Sequence, residues 1–390
     1  MSKKIKIIAD DKIPFLKDVL EPYAEVEYFP GSEISNEKIL DADALIIRTR
    51  TNCDAKLLSG TNVKIIATAT IGVDHIDGEY CNQNNIKWLN APGCNSTSVM
   101  QYITSILLTL AEKNKFELST KTIGIIGVGN VGSKIERVAK ILGMKILLND
   151  PPRERKEGSQ KFYNLEKIIT ESDIITFHTP LNREGIDKTF HLADEQFFAK
   201  FKKKPIIINS SRGEVVKTSA LKDAIRKGSI SNVALDVWED EPKIDLELLD
   251  MVDLATPHIA GYSTDGKVNG TTVCVNEIND FFNLGLKANP AKKTSGQVWY
   301  PESIPIAKNG NEIVIDCNNK TEQEVIAEAV NTTYSITDDD KILRNSPETF
   351  EKQRGDYRIR REFDNYSLKL KNCNSVVENK LSKLGFKIVS

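Results

Sequence analysis

Short apolar runs alternate with segments of helical periodicity along most of this chain. Four or five apolar residues in a row are typical of a buried strand in a parallel sheet. Between the runs, apolar residues recur every three or four positions, as in helices that cover such a sheet. In the N-terminal part the strand-like runs are 5–9, 26–29, 44–47 and 63–67, and part of a helix is predicted over 15–20. This pattern predicts an open α/β lobe.

The alternation is interrupted once, at residues 90–95, where Pro92 and Gly93 indicate a crossover between domains. Further strands are predicted at 123–126, 145–148, 174–177, 206–209, 233–237 and 254–256. We therefore predict two Rossmann-like, doubly wound lobes. The first comprises residues 1–95 with 265–285, and the second comprises residues 96–264.

The remaining residues, 286–390, are predicted to form a separate α+β domain. Thr321 and Glu324 stand at the spacing of a capping box at the start of a helix. The predicted strands are 313–315, 366–370 and 386–389, and the predicted helices are 321–330, 350–363 and 376–384.

The strongest single motif follows the first strand of the second lobe. Gly127, Gly129 and Gly132 have the spacing G-x-G-x-x-G between a predicted strand and a predicted helix. Such glycines allow a tight turn, a close approach of the backbone to a pyrophosphate, and close packing of the helix on the sheet. Asn130 and Val131 begin the helix, where free N–H groups and the helix dipole favour phosphate. The motif predicts a dinucleotide site.

Asp150 ends the next predicted strand, where a carboxylate can accept hydrogen bonds from the adenosine ribose hydroxyls. Its charge would repel a 2′-phosphate and therefore favours NAD over NADP. Arg153 and Arg155 follow closely and keep NADP open as an alternative.

Three other predicted strands end near residues of complementary chemistry: Arg212, Glu241 and His258. Arginine offers a planar fork for a substrate carboxylate. Histidine can take a proton from a hydroxyl near neutral pH, and a carboxylate on its other nitrogen fixes the tautomer. Beside a nicotinamide, such a set suits oxidation of a 2-hydroxy acid. The other histidines, which we interpret as structural, are His75, His178 and His191.

Composition excludes several classes of function. The 390 residues are 40% hydrophobic and 28% charged, with a net charge of −2 that offers no basic field for nucleic acid or an anionic membrane. No apolar run approaches the length of about 20 residues that a membrane span needs, and the N-terminus lacks the pattern of a signal peptide. The six cysteines include no C-x-x-C pair, so we expect no metal site and a reduced, cytoplasmic protein.

The motifs of the second lobe resemble those of the D-2-hydroxyacid dehydrogenase family. They are Asn209-x-x-Arg212-Gly213, Asp236-Val237-Trp238 with Glu241-Pro242, and Pro257-His258-Ile259-Ala260-Gly261. They follow the glycine motif in the family's order. The resemblance implies NAD-dependent oxidation of a D-2-hydroxy acid. It makes Arg212 the carboxylate anchor, His258 the acid/base and Glu241 its partner.

The same resemblance assigns binding residues. Beyond the glycine motif, the expected NAD positions are Asp150, Thr179, Ser210, Ser211, Arg212, Asp236 and Gly261. The expected substrate positions are Thr49, Thr70 and Tyr262. Arg48 directly precedes Thr49 at the end of a predicted strand, and we expect it to contact an anionic group of the substrate. Arg344 is a second candidate for that contact.

One branch of this family acts on a phosphorylated hydroxy acid and carries an additional C-terminal dimerisation domain. Residues 286–390 stand where that domain belongs, which implies a homodimer and a small phosphorylated substrate. Two alternatives stay open: a 3-phosphoglycerate- or glyoxylate-type dehydrogenase, and a non-catalytic, NAD-sensing corepressor that has kept the fold.

Overall fold

The structure is a computed structural model that describes residues 4–286, 299–306 and 311–389. The chain divides into two compact units. The first unit comprises residues 1–95 and 264–305, and the second comprises residues 96–263 and 306–390. We call residues 306–390 the C-terminal module. It belongs to the same unit as the segment that carries the glycine motif.

The described residues alternate between strands and helices, apart from short 3₁₀ turns. The strands are β1 Lys6–Asp10, β2 Glu25–Phe29, β3 Ala44–Ile47, β4 Ile65–Thr68, β5 Lys87–Leu89, β6 Thr122–Ile126, β7 Lys145–Asn149, β8 Ile174–Phe177, β9 Ile206–Asn209, β10 Asn232–Leu235, β11 Leu254–Ala255, β12 Glu312–Asp316, β13 Ser367–Lys371 and β14 Lys387–Val389. The helices are α1 Asn36–Ile39, α2 Ala55–Leu58, α3 Gly78–Gln83, α4 Ser96–Asn114, α5 Asn130–Ile141, α6 Pro151–Glu157, α7 Leu165–Glu171, α8 Glu195–Ala199, α9 Thr218–Arg226, α10 Leu246–Met251, α11 Thr264–Phe282, α12 Glu322–Thr333, α13 Ile336–Asn345, α14 Phe350–Gly355 and α15 Ser375–Leu384.

The first unit is built on a five-stranded parallel sheet in the order β2-β1-β3-β4-β5. Its inner strands β3 and β4 are buried along their whole length, as unbroken apolar runs predict. Helix α11 follows the six-stranded sheet in the sequence but packs beside β4 of the first unit. A Cβ on Gly270 of that helix would lie 2.8 Å from the carbonyl oxygen of Ala69, so only glycine allows this approach.

The second unit contains a six-stranded parallel sheet in the order β11-β10-β9-β8-β6-β7. The chain starts at β6, adds β7 on one side and then places β8 on the other. The strand order therefore reverses between β6 and β8. In doubly wound sheets, ligands bind outside the carboxyl ends of the strands at this switch point.

The C-terminal module has a small parallel sheet in the order β12-β13-β14 and helices that pack on α4. Buried residues of the module and of the six-stranded sheet's helices form one continuous hydrophobic cluster. At the contact, Ser105 of α4 donates a hydrogen bond to the carbonyl oxygen of Tyr334, at 3.1 Å. The predicted capping box is present, since Thr321 and Glu324 each accept a hydrogen bond from the other's backbone N–H.

One predicted helix is wrong and another is shorter than predicted. Residues 15–20 form consecutive turns, with Phe15 and Asp18 at φ of 63° and 67°; Leu16 and Leu20 are buried without a helix. In the module, the helix predicted over 350–363 ends at Gly355, and the residues after it are largely extended. That extended segment lets individual arginines enter the interior, which a solvent-facing helix would not.

Candidate active site

The turn after β6 has the geometry of a phosphate-binding turn. Gly127 has φ of 85°, in the region that favours glycine, and a Cβ there would lie 2.5 Å from the carbonyl oxygen of His178. A Cβ on Gly132 would lie 2.0 Å from the carbonyl oxygen of Gly127. With any other residue at 132, α5 could not start this close to the strand. A Cβ on Gly129, in contrast, would meet no atom within 4 Å. That open side is where a pyrophosphate could approach the backbone.

Helix α5 begins at this turn. Its first residues are Asn130 and Val131, and Ser133 makes an early helical bond, from its N–H to the carbonyl oxygen of Gly129 at 3.0 Å. The N–H groups in the first turn of a helix have no intrahelical partner, and the helix dipole adds partial positive charge there. The turn can therefore bind an anion with backbone groups alone.

Asp150 ends the strand beside this turn. Its carboxylate accepts hydrogen bonds from the backbone N–H of Val128 at 2.8 Å and of Arg153 at 3.0 Å. The Arg153 guanidinium donates to both carboxylate oxygens of Glu157, at 2.6 and 2.8 Å, and to the carbonyl oxygen of Val128. Arg155 pairs with Asp187. The two arginines that kept NADP open are thus engaged with acidic partners.

Two hydroxyls beside the switch point indicate a bound polar group. Thr179 follows β8 and Ser210 follows β9, and the hydroxyl oxygen of each is buried with no hydrogen-bond partner among the described residues. A Cβ on Gly127 would lie 2.9 Å from the Thr179 methyl, so this side chain adjoins the glycine turn. Leaving a buried donor unsatisfied costs about 1–3 kcal/mol. Hydroxyls of this kind beside a phosphate-binding turn fit a dinucleotide cofactor.

The turn after β9 carries Arg212. Asn209 closes the turn by accepting from the N–H and the hydroxyl of Ser211, at 3.1 and 2.9 Å, and by donating to the carbonyl oxygen of Arg212 at 2.8 Å. A Cβ on Gly213 would lie 2.0 Å from the carbonyl carbon of Trp238. Glycine at 213 therefore lets the Arg212 turn lie directly on the segment that leads to Glu241. The hydroxyl of Ser211 is occupied within the turn.

Glu241 and His258 form a hydrogen-bonded pair. Nδ1 of His258 lies 2.5 Å from Oε1 of Glu241, and the second oxygen of Glu241 accepts from the N–H of Trp238 at 3.3 Å. Burial acts to raise the pKa of Glu241, but the hydrogen bond and charge of His258, together with the charge of Arg354, hold it below its usual range. The carboxylate stays ionised. It can therefore accept a hydrogen bond from Nδ1–H and leave Nε2 as the basic nitrogen.

Asp236 fixes the turn that carries His258. Its side chain is 1% exposed, and its carboxylate accepts from the N–H groups of Ile259 at 2.7 Å and Ala260 at 2.9 Å and from the hydroxyl of Thr256 at 2.6 Å. Its backbone carbonyl accepts from the N–H of His258 at 2.7 Å. Burial raises the pKa of this carboxyl. Asp236, predicted as an NAD position, thus holds the turn that carries His258.

The C-terminal module holds the same turn from another direction. Arg360 is 2% exposed, and its guanidinium donates to the carbonyl oxygens of Ala260 at 2.5 Å and Ile259 at 3.4 Å and to the hydroxyl of Ser98. It also lies over the ring of Tyr334, 4.5 Å from its centroid. Asp236 therefore binds the amide groups of residues 259 and 260, and Arg360 binds their carbonyl groups.

Tyr262 lies at the end of this turn, beyond Gly261. Its N–H donates to the carbonyl oxygen of Ile259 at 2.9 Å. Two residues of the module pack against its ring: Tyr357, with ring centroids 6.1 Å apart, and Arg354, whose guanidinium carbon lies 5.6 Å from the ring centroid. No local sequence pattern points to contacts of Arg354 and Arg360 with this turn, from which they stand about 100 positions away in the sequence.

The predicted substrate residues of the first unit lie after β3 and β4. Arg48 donates to the carbonyl oxygen of Lys12 at 3.3 Å and makes no ion pair with any described residue. Thr49 is exposed in the turn that follows. The Thr70 hydroxyl lies 2.7 Å from that of Thr68 and donates to the carbonyl oxygen of Gly72 at 3.1 Å.

The histidines interpreted as structural each have a partner within their own unit. His75 lies 3.1 Å from the hydroxyl of Thr68, and His178 lies 2.9 Å from that of Thr176. Nε2 of His191 lies 2.6 Å from Oε1 of Glu239. Arg344, the second candidate for an anionic contact, donates to Asp340 and to the carbonyl oxygens of Leu249 and Val252, so its fork is occupied.

A separate cavity of about 440 Å³ in the second unit has no part in this arrangement. Its cations are neutralised by neighbouring acids, since Lys217 pairs with Glu195 and Lys222 pairs with Asp245. Within residues 4–286, 299–306 and 311–389, no group of three or more His, Cys, Asp or Glu residues could hold a metal ion. No helix in those ranges is both long enough and apolar enough to span a bilayer.

The chain belongs to the D-isomer-specific 2-hydroxyacid dehydrogenase family, as the fold and the site indicate. The family model of the NAD-binding domain matches residues 107–260, and a model of a domain of unknown function, DUF3410, matches residues 310–385. The chain is therefore an enzyme whose cofactor is NAD. The predicted α/β fold, family and cofactor are confirmed.

Within this family the chain is similar to proteins named erythronate-4-phosphate dehydrogenase. The one from Bacteroides thetaiotaomicron is 51% identical over 93% of this chain and 99% of its own length. The one from Cronobacter sakazakii is 39% identical over 98% of each chain. Among solved structures, D-lactate dehydrogenase of Aquifex aeolicus, complexed with NAD and lactic acid, is 26% identical. It superimposes with a TM-score of 0.61 and covers 71% of this chain and 95% of its own.

Proposed function

We propose that this enzyme oxidises 4-phospho-D-erythronate to 3-hydroxy-2-oxo-4-phosphonooxybutanoate with NAD, a step of pyridoxal 5′-phosphate biosynthesis. The reaction class rests on one observation, the ionised Glu241 bonded to Nδ1 of His258 beside the Arg212 turn. The substrate rests on the similarity to erythronate-4-phosphate dehydrogenases across almost the full length of both chains.

His258 acts as the base in this proposal. Nδ1–H donates to Glu241, so Nε2 presents its lone pair to the hydroxyl at C2 and takes the proton. The Glu241 carboxylate then stabilises the imidazolium that forms, as a carboxylate does in other histidine pairs. The Arg212 fork binds the substrate carboxylate and orients C2. Bound NAD supplies the hydride acceptor.

We assign the cofactor to the groups around the switch point. The turn Gly127–Gly132 with Asn130 and Val131 binds the pyrophosphate, and Asp150 accepts from the adenosine ribose. Thr179 and Ser210 each supply a buried hydroxyl that has no partner among the described residues. The other assigned NAD positions are Ser211, Arg212, Asp236 and Gly261, and the substrate positions are Arg48, Thr49, Thr70 and Tyr262.

We also propose a cytoplasmic homodimer of three domains. The substrate-binding lobe is 1–95 with 265–285, the NAD-binding domain is 96–264, and residues 286–390 form the dimerisation domain. All six cysteines are free thiols, which suits a reducing compartment. Large apolar side chains are exposed on the C-terminal module, among them Ile342 at 49% and Ile359 at 47%, which suits a contact between subunits.

A single assay tests the function. Purified protein is supplied with NAD and, in separate reactions, 4-phospho-D-erythronate, 3-phospho-D-glycerate or glycolate, the reduced partner of glyoxylate. We expect kcat/KM to be highest for 4-phospho-D-erythronate. A preference for either other substrate identifies one of those dehydrogenases instead. Tight NAD binding without turnover of any of them supports a non-catalytic sensor.

A further inference from the structure

Arg354 of the C-terminal module is a cation whose guanidinium has N–H donors without a hydrogen-bond partner among the described residues. Its side chain is 19% exposed, and one amino group bonds Glu351 at 2.7 Å. The Nε–H is buried and has no hydrogen-bond partner among the described residues. A guanidinium has five N–H donors in a planar fork. One acceptor at Glu351 therefore leaves most of the fork available, and a buried donor without a partner indicates a ligand.

The position of Arg354 places that ligand at the catalytic end of the second unit. The guanidinium lies over the ring of Tyr262, which follows His258 in the same turn. Its charge is also close enough to Glu241 to lower the pKa of that carboxyl. Arg354, on helix α14 of the module, therefore lies near the Glu241–His258 pair that we propose transfers the proton.

The proposed substrate has two anionic ends, and Arg212 is assigned to only one of them. When Arg212 binds the carboxylate and His258 faces C2, the phosphate on C4 extends away by about 5 Å, as covalent bond lengths require. A phosphate carries up to two negative charges and three acceptor oxygens, for which the arginine fork is the best protein ligand. Tyr262 stands four residues after His258 at the end of the same turn, and Arg354 packs on its ring, so both are candidates for a contact at this end of the substrate.

We propose that Arg354 binds the phosphate group of the substrate beside Tyr262 and so selects a phosphorylated over an unphosphorylated D-2-hydroxy acid. This inference rests on the proposed function and adds a specificity residue to it. Arg354 lies in the segment matched by DUF3410, outside the NAD-binding model. The D-lactate dehydrogenase, found with lactic acid, matches almost completely yet leaves more than a quarter of this chain uncovered.

The test compares two substrates that differ only in the phosphate. kcat/KM is measured with NAD for 4-phospho-D-erythronate and for D-erythronate in wild type, Arg354→Ala and Arg354→Lys. Loss of a charge-assisted fork should lower kcat/KM for the phosphorylated substrate about 10- to 100-fold in Arg354→Ala. The value for D-erythronate should fall less, because that substrate has no phosphate for Arg354 to bind, and its loss measures the effect of the missing charge on Glu241. Arg354→Lys should recover part of the loss, because it keeps the charge without the fork.

Lys352→Ala is the matched control, since Lys352 is an exposed cation on the same helix. It should leave both substrates unchanged. Inorganic phosphate should compete with 4-phospho-D-erythronate in wild type and compete more weakly in Arg354→Ala. Arg354→Gln replaces Arg354→Ala should the latter fail to fold, and the thermal midpoint and NAD affinity of each variant are measured alongside.

Three results overturn the inference. Equal losses of kcat/KM for both substrates show a structural role for Arg354. Wild-type kcat/KM for both substrates in Arg354→Ala or Arg354→Gln shows that Arg354 has no role in selection. Both leave the proposed function standing as long as wild type prefers 4-phospho-D-erythronate. A wild-type enzyme that does not turn over 4-phospho-D-erythronate overturns the proposed function and, with it, this inference.

Discussion

His258 adopts a left-handed backbone conformation, with φ of 55°, although it carries a Cβ. Such a conformation costs about 1–3 kcal/mol and persists only where the surroundings impose it. Asp236 imposes it here, because its backbone carbonyl and its carboxylate accept from three successive N–H groups, those of residues 258 to 260. The strained turn directs the imidazole to Glu241, so the strain lies at the residue that we propose as the base.

The first prediction concerns the base itself. His258→Ala should lower kcat by about 10²–10⁴-fold, the usual loss when a general base is removed. NAD affinity should stay within a few-fold, because the phosphate-binding turn is a separate element. His191→Ala is the control, since His191 forms a similar pair with Glu239 at 2.6 Å. Stopped assays and NAD titration by fluorescence measure both, and turnover near the wild-type rate in His258→Ala would contradict the assignment.

Glu241→Gln tests the partner of the base. The hydrogen bond and charge of His258 hold the pKa of Glu241 below its usual range, so the carboxylate is ionised and can stabilise the imidazolium that forms when His258 takes the proton. Gln keeps the size of the side chain but not its charge, and its amide can donate to Nδ1, which leaves the wrong ring nitrogen basic. We therefore expect kcat to fall about 10²-fold or more, while NAD affinity stays within a few-fold. Glu239→Gln is the control, and turnover near the wild-type rate in Glu241→Gln argues against the pair.

Arg48→Ala tests the anionic contact in the first unit. Among the described residues, Arg48 makes no ion pair, and its guanidinium donates one hydrogen bond, to the carbonyl oxygen of Lys12. If it contacts the substrate phosphate, kcat/KM should fall about 10-fold or more for 4-phospho-D-erythronate and much less for D-erythronate. Lys56→Ala, which removes an exposed cation of the same unit, serves as the control. Equal losses with both substrates would make Arg48 structural.

At the scale of elements, the strands were the most predictable part of the fold. A parallel strand covered on both faces must be a continuous apolar run, and 44–47 and 206–209 are such runs in sequence and strands in the structure. Helices without a full amphipathic stripe were less predictable. Residues 15–20 have buried leucines at positions 16 and 20, which suit a helix, but turns bury them equally well.

The candidate site was predictable to the same extent, for a related reason. The glycine turn, Glu241 and His258 lie at or just beyond strand ends, so local pattern and chemistry locate them together. Arg360 and Arg354 could not be found in this way. They contact residues that are distant in the sequence, and the helix predicted over 350–363 gave no indication of a buried arginine. Only the fold shows that Arg360 is 2% exposed.

The extended segment after α14 supplies the fourth prediction. Arg360→Lys should lower kcat about 10- to 100-fold at a temperature where the variant is fully folded, because a displaced His258 turn loses its productive geometry. KM for NAD should not change. Arg344→Lys is the control, since Arg344 also binds backbone carbonyls of the NAD-binding domain, those of Leu249 and Val252, but not on this turn. Should both variants lose only thermal stability, Arg360 has no positioning role.

At the scale of the whole molecule, the C-terminal module cannot be an appendage that is simply removed. Its buried residues share one hydrophobic cluster with α4 and α5, and Gln101 of α4 donates to the carbonyl oxygen of Arg361 at 3.0 Å. Deleting residues 306–390 would expose that cluster and cause aggregation for reasons unrelated to subunit contacts. Point substitutions on the module's outer surface are therefore the sharper test of the proposed dimer.

The module's exposed apolar side chains define that test. Val314 on β12 is 52% exposed, Ile342 on α13 is 49% exposed and Ile359 is 47% exposed. A stable dimer buries about 800 Å² per subunit, and an aspartate introduced into its apolar part would lose hydration without gaining a partner. We expect Asp at one or more of these positions to shift sedimentation from dimer to monomer, with the thermal midpoint of the monomer showing an intact fold.

Ile186→Asp, at a position 87% exposed outside the module, is the control and should leave the dimer unchanged. A monomeric wild type, or a dimer that withstands all three substitutions, would refute dimerisation through this surface.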